Sequence, residues 1–398
     1  MTVPAPAASP TARSAVQHLV ASQIREVANA GMGDPAILPF WFGEPDEVTP
    51  AFIRDAATAA LARGDTFYTE NFGIPELRET IAAYLSRLHR PTTPEEIAVT
   101  ASGMSALMLT AQALVGHGDR VVAVTPLWPN LTEIPKILGA EVVRVPLVFG
   151  AAGWTLDLDR LLAALTADTR AVLINSPNNP TGWTLGPDEQ QAILAHCRRR
   201  GIWVIADDVY ERLYYAPPGP AAACAPSFLD LAAPDERLVS TNSFSKSWLM
   251  TGWRLGWIVA PPALMPDLGK LIEYNTSCSP PFVQRAGVVA VRDGEPTIAH
   301  TLARFQRARD LLIRELNAIP GVEVAPPAGA MYAFFRVAGM TDSFEFCKRL
   351  VREARLGLAP GSAFGAEGEG FVRWCFAAGE ARLSEGIARL RRFLATER

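Results

Sequence analysis

The chain has 398 residues, with 37 Lys plus Arg against 41 Asp plus Glu for a net charge of -4; 49% of residues are hydrophobic and 20% charged. At about 150 residues per domain, that length predicts two or three domains with a core that needs no staples. The near-balanced charge predicts no nucleic-acid partner, and no apolar run approaches the roughly 18 residues of a membrane span. The first ten residues are rich in Pro and Ala and lack the charged-then-apolar plan of a signal peptide. Cys197, Cys224, Cys278, Cys347 and Cys375 are scattered, with no C-x-x-C, and the five histidines do not cluster. That pattern argues against a disulfide framework and a zinc site, and predicts a cytoplasmic, metal-free protein.

Residues 12–30 read as a helix, 39–50 as a turn-rich passage, and 51–63 and 75–89 as amphipathic helices. Short β-rich runs follow at 97–100, 120–125, 141–147, 171–175, 203–206, 238–242 and 255–259. Helical patterns lie between many of them, at 104–115, 129–138, 157–165 and 187–200. Near-continuous apolar strands alternating with helices predict an α/β architecture, a mainly parallel sheet covered on both faces. Beyond about residue 286 come a long helix (296–318), short strands near 322, 332–337 and 371–376, and helices at 343–353 and 380–395. These predict a smaller α+β domain. The expected division is a large domain over 46–285 and a small one formed by 1–45 and 286–398.

Only four of the basic residues are lysines: Lys136, Lys246, Lys270 and Lys348. Three fall in helical patterns and read as solvated charges. Lys246 instead lies in N-S-F-S-K-S-W-L-M-T-G-W-R (242–254), after a predicted strand and among small hydroxyls and large apolar groups. A lysine in an apolar pocket can lose its proton and form a Schiff base with a carbonyl. Ser243, Ser245 and Arg254 offer hydroxyls and a guanidinium fork suited to phosphate.

Other predicted strands end in chemically useful loops. I-A-D-D-V-Y (205–210) sets Asp207 and Asp208 where a carboxylate can face a bound cation. I-N-S-P-N-N-P-T-G (174–182) is a rigid turn presenting Asn178 or Asn179. T-A-S-G-M-S-A-L (100–107) leaves free backbone N–H groups for an anion but is not a P-loop. Trp128, between prolines in P-L-W-P-N (126–130), can stack on a planar ring. A turn, a cap or a core tryptophan explains each motif alone. Together they form a lysine, a phosphate cradle, a carboxylate, an amide and a stacking aromatic, the set that pyridoxal phosphate uses.

With these residues the chain resembles the class I/II aminotransferases, the aspartate-aminotransferase fold or fold type I of the pyridoxal-phosphate enzymes. The likeness runs from about residue 42 to the C-terminus. It includes F-G-E-P-D (42–46), Y-T-E-N-F-G-I-P-E-L-R (68–78), P-G-S-A-F-G (360–365) and F-V-R-W-C-F-A (371–377). The resemblance implies that Lys246 forms the Schiff base and shuttles the proton, and that Asp207 pairs with the pyridine nitrogen. It implies that Asn179 and Tyr210 bond the ring hydroxyl and that Trp128 stacks on the ring. Ser102, Gly103, Ser243, Ser245, Arg254 and the Met104 backbone N–H would hold the phosphate. Tyr68 would reach the phosphate of a neighbouring subunit, which implies a homodimer with shared sites. Arg373 would bind the substrate α-carboxylate, with Gly43 and Asn130 or Asn179 beside it. The implied reaction moves an amino group from an L-amino acid to a 2-oxo acid in two half-reactions, with ping-pong kinetics.

Met104 stands where some aspartate-using relatives place a lysine, so dicarboxylate use is not implied. Arg285 is a candidate for a side-chain carboxylate, and Trp41 and Phe42 for the pocket wall, which leans toward a bulky or apolar substrate. A C–S lyase of the same fold is the nearest alternative. A transcription regulator with an aminotransferase-like effector domain would need a DNA-binding module, and the forty or so residues ahead of the match are not basic.

Overall fold

A computed structural model describes residues 11–215 and 224–396. The Pro/Ala-rich start of the chain lies outside the described residues. The seven predicted runs form one sheet: β1 (Ile97–Thr100), β2 (Arg120–Thr125), β3 (Glu141–Pro146), β4 (Thr169–Asn175), β5 (Trp203–Asp207), β6 (Leu238–Ser243) and β7 (Gly256–Val259). Their order is β1-β7-β6-β5-β4-β2-β3. From β6 to β3 all neighbours are parallel, while β7 runs against both β1 and β6. The β6–β7 connection holds only the short turns Phe244–Ser247 and Thr251–Trp253. It contains no crossover helix, so β7 returns antiparallel.

Period-two alternation splits the strands between two buried layers. Val122, Val124, Val172, Ile174, Val204 and Ala206 join the core under helices Pro75–Leu88, Pro187–Arg200 and Pro281–Asp293. Val121, Ala123, Ala171, Leu173, Ile205 and Val239 join the core under helices Gly103–Leu114 and Met265–Asn275. The register brings Thr100, Gly256 and Ser243 side by side, and likewise Asn175, Asp207 and Thr241. The carboxyl ends of β1, β4, β5 and β6 therefore share one edge with the start of β7. Ligands bind at this edge in open α/β sheets.

A second, antiparallel sheet has the order β8-β9-β11-β10, with β8 (Val322–Glu323), β9 (Tyr332–Val337), β10 (Ala359–Pro360) and β11 (Phe371–Cys375). Its core takes Phe305 and Leu312 from helix Glu295–Asn317, Leu350 from Ser343–Ala354 and Leu383 from Glu380–Thr396. The N-terminal segment joins it through Val27, Ile37 and Trp41 and through the parallel pairing of Leu38–Pro39 with Leu356–Gly357. Core membership changes inside helix Glu295–Asn317: Ile298 packs with the large sheet and Phe305 with the small one.

Three features differ from the sequence expectation. The helix expected over 12–30 is two helices, Ser14–Gln17 and Gln23–Asn29. Ser22 caps the second by accepting from the Arg25 backbone N–H, and the first buries no residue. Helices Met265–Asn275 and Pro281–Asp293 were not in the expected set; each carries a proline in its first turn. A small hairpin, Val148–Gly150 with Gly153–Thr155, follows β3. Among the described residues no helix is long and apolar enough to cross a membrane.

Candidate active site

The strand ends enclose a cavity of about 660 Å³. Lys246 sits in the single helical turn after β6, and its Nζ donates to the Gly43 carbonyl at 2.5 Å. Desolvation lowers its pKa to about 8; Arg373 and Arg254 add to the shift, and the Cys375 and Glu44 sites oppose it. A neutral amine is thus accessible close to neutral pH. The other three lysines pair with Glu133, Asp267 and Glu26 on the surface.

Of the two consecutive acids after β5, Asp207 faces the cavity and Asp208 faces away. Asn175 Nδ2 donates to Asp207 Oδ2 at 3.1 Å, and burial pushes this carboxyl up to about 7 against the pull of the Val209 backbone and Lys246. Such an acid gains from a cationic partner. Asp208 accepts from Ser240 at 2.6 Å and from Ser227 at 3.4 Å. Of the two asparagines, Asn179 lines the cavity, while Asn178 turns back to accept from the Thr181 hydroxyl at 2.7 Å.

At one end the cavity suits an anion. The first N–H groups of helix Gly103–Leu114, from Gly103 and Met104, have no intrahelical partner. Ser243 and Ser245 face them, with their hydroxyls 2.9 Å apart, and Arg254 Nη1 lies 3.5 Å from Ser245 Oγ. A Cβ at Gly103 would come within 2.9 Å of Ser243 Cβ, so glycine permits this approach. Arg254 itself adopts a left-handed backbone, φ 54°, which turns its side chain to the cavity edge. Ser102 departs from its expected role. It is not a lining residue, and its hydroxyl caps the helix by accepting from the Ser105 N–H at 2.9 Å.

At the other end Arg373, on β11, is 2% exposed. Its Nη1 donates to Asn179 Oδ1 at 3.0 Å and its Nη2 to the Trp41 carbonyl, while its buried Nε has no partner among the described residues. The guanidinium is 4.5 Å from the Tyr332 ring centroid. A buried, incompletely satisfied guanidinium suits a carboxylate. Trp128, Asn130 and Phe42 line the cavity, and Asn130 Nδ2 reaches Met104 Sδ at 3.5 Å. Trp41 does not line it; its ring packs against Gly31 and Gly357, leaving only its carbonyl to serve the site.

Gly43, Gly103, Met104, Trp128, Asn130, Asn179, Asp207, Tyr210, Ser243, Ser245, Lys246, Arg254 and Arg373 therefore come together around one cavity. Tyr68 does not enter it within this chain and is 89% exposed. Arg285 lies outside it, paired with Glu76 and Asp65 on the surface. Sequence reasoning missed Tyr332, Asn175 and Arg25, which also line it. Asn175, a polar residue closing an apolar strand as Asp207 does, carried a legible signal. Tyr332, at the start of a strand, looks like any core aromatic.

The residues fit pyridoxal phosphate: an anion cradle, a carboxyl for a ring nitrogen, an aromatic wall and a lysine of lowered pKa. Residues 39–390 match the family described as aminotransferase class I and II. The chain is 34% identical over 383 residues to an aspartate aminotransferase of Pyrococcus horikoshii, covering 95% of each. It is 35% identical over 366 residues to a probable aspartate/prephenate aminotransferase of Aquifex aeolicus, covering 90% of this chain and 91% of the relative. The crystal structure of an aromatic aminotransferase from Pyrococcus horikoshii superposes with a TM-score of 0.85 at 32% identity, over 94% of this chain and 99% of that one. The chain belongs to the class I and II aminotransferases, enzymes of fold type I whose members use pyridoxal phosphate to exchange amino groups between amino acids and 2-oxo acids.

Proposed function

We propose that this chain binds pyridoxal 5'-phosphate through Lys246 and works as a cytoplasmic homodimer that passes the amino group of an L-amino acid to a 2-oxo acid. The observation that carries the residue assignment is Lys246, desolvated and lowered to about 8 in a cavity that also holds Asp207 and Arg373. Bound there, the cofactor supplies an electron sink for the charge left when Cα loses its proton. Neutral Lys246 would be the base that takes that proton and would hold it at Nζ for return. Asp207 holds a proton at the ring nitrogen. Asn179 and Tyr210 donate to the ring oxygen. Gly103, Met104, Ser243, Ser245 and Arg254 bind the phosphate, and Trp128 covers the ring and excludes water. Arg373, with Asn179, Asn130 and Gly43 beside it, orients the α-carboxylate.

Exposed Phe67, Tyr68 and Tyr274 support an interface through which Tyr68 completes a neighbour's phosphate site. The five free cysteines are consistent with a reducing compartment. We further propose that the chain divides into two domains along its two cores, with the boundary at the change of core inside helix Glu295–Asn317, later than the expected residue 285.

Single amino acids added to the yellow protein test this reading. A true donor bleaches the visible band stoichiometrically and releases its 2-oxo acid, and borohydride fixes the cofactor to the Lys246 peptide. Label on another lysine overturns the assignment. Ammonia release from a cysteine-type substrate, without bleaching by any donor, would favour β-elimination.

A further inference from the structure

Tyr332 has no part in the roles assigned above, yet its hydroxyl lies where three parts of the site meet. The residue opens β9 opposite Cys375 of β11, and it is 1% exposed. Its ring lies under the Arg373 guanidinium and meets the Tyr210 ring edge-on, at 5.7 Å and 81°. The two hydroxyls are 2.7 Å apart. The Tyr332 oxygen also fills the space that a Cβ on Gly43 would occupy, and the Gly43 carbonyl is what Lys246 donates to.

Burial drives both phenols away from ionisation, so each keeps a proton to place. One proton fills the shared hydrogen bond and the other must go elsewhere. Among the described residues, Tyr210 is the one hydrogen-bond partner of the Tyr332 hydroxyl. Were Tyr210 the donor, the Tyr332 proton would be left without an acceptor, boxed against Gly43 and beside the Arg373 cation. With Tyr332 as donor its proton is used, and the Tyr210 proton is free to point into the cavity. Asn179 is set in the same way: its Oδ1 accepts from Arg373, which leaves its Nδ2 to donate.

We propose that Tyr332 is a positioning residue whose hydroxyl donates to Tyr210 and so holds Tyr210 as a donor aimed at the cofactor's ring oxygen. This rests on the reading that the cavity takes pyridoxal phosphate. A hydrogen bond received by the Tyr210 oxygen also strengthens the one that it gives. Donors on the ring oxygen stabilise its anion, so losing the relay makes the lysine–cofactor chromophore hold its proton to higher pH.

The test is pH titration of the visible absorbance of the cofactor-loaded parent, Tyr332→Phe, Tyr210→Phe and the double variant, with thermal midpoints of the cofactor-free proteins alongside. Phenylalanine keeps the ring under Arg373 and removes only the hydroxyl. Tyr332→Phe is expected to raise the titration midpoint by about half a unit, Tyr210→Phe by more, and the double variant by no more than Tyr210→Phe alone. Additive shifts would show that Tyr332 acts by another route and overturn the relay. So would an unshifted midpoint in Tyr332→Phe, whatever its thermal stability. A parent protein that develops no visible band with pyridoxal phosphate overturns the cofactor reading itself, and the relay with it.

Discussion

Asp207 and Asp208 are adjacent, both buried, and both pushed by burial up to about 7, yet their surroundings differ in kind. On the cavity side, polar groups are left incomplete. Among the described residues, Asp207 has Asn175 as its side-chain partner and no cation bonded to it, and Arg373 Nε has no partner. On the far side the groups complete one another. Ser240 and Ser227 donate to Asp208, Asn242 donates to Glu211 at 2.8 Å, and the fully buried His89 ring bridges Glu211 at 3.3 Å and Asp230 at 2.8 Å. Buried polar groups are ordinarily satisfied, so a buried charged group left incomplete at a cavity wall, as at Arg373, is where a ligand of opposite charge can enter. The same sheet edge carries a binding surface and a structural clamp, separated by one peptide unit.

Removing the cavity side's central group has the largest expected effect. Lys246→Ala keeps the phosphate, ring and nitrogen contacts, so the cofactor still binds, but the proton-transfer step loses roughly 10²–10⁴ in rate. Single-turnover bleaching with the best donor measures this, and near-normal turnover would break the comparison at its root. Arg373→Lys comes next. A lysine cannot reproduce the fork, and truncating a buried charge pair costs about 2–5 kcal/mol. Donor affinity should fall by that amount whatever the side chain, with cofactor affinity unchanged. An unaltered affinity would remove Arg373 from the substrate site.

The cavity was legible in the sequence because its residues close apolar strands or sit in the turns just after them. Lys246, Asp207, Asn179 and Arg254 each stand beside a run whose burial fixes its position. What escaped was set by distant packing. Nothing local distinguishes Tyr332 from Phe334 or Phe335, and only the meeting of β9 with the Tyr210 loop gives its hydroxyl a partner. The resemblance implies a phosphate role for Ser102, but its hydroxyl is taken up as the cap of helix Gly103–Leu114, a use that a serine between strand and helix serves equally well. The His89 clamp was invisible for the same reason: its partners lie 122 and 141 residues away.

The clamp makes the opposite prediction to the cavity, affecting stability rather than chemistry. Burial disfavours the charged His89 ring, but the bonds to Asp230 and Glu211 overcome this and raise its pKa from 6.5 to about 10. A folded pKa above the unfolded one means that the contribution is complete below about pH 6.5 and is lost as pH rises through about 10. His89→Gln should therefore cost about 2 kcal/mol near pH 6, discounted for the partly exposed Asp230. The gap from the parent should close toward pH 10, with kcat at neutral pH little changed. Denaturant midpoints across pH would show it. A gap that widens with pH would mean that the imidazole is neutral and the clamp is not ionic.

The smallest expected effect lies at the cavity rim, where a third arginine tests whether incompleteness alone marks function. Arg25 is exposed, lies 4.5 Å over the Phe42 ring and has no ion-pair partner among the described residues. Arg373 is buried and nearly enclosed, so its charge acts in a low dielectric. Arg25 is screened, and exposed pairs are worth about 0.2–1 kcal/mol. The guanidinium and the ring beneath it offer two kinds of contact, one to a distal carboxylate and one to an apolar side chain. Arg25→Ala should lower kcat/KM for a dicarboxylic substrate by no more than about fivefold, an effect that fades in high salt, and leave an aromatic donor nearly unchanged. Equal losses for both substrates, insensitive to salt, would show that Arg25 only packs on Phe42, and that an unpaired cation at the rim is no guide to specificity.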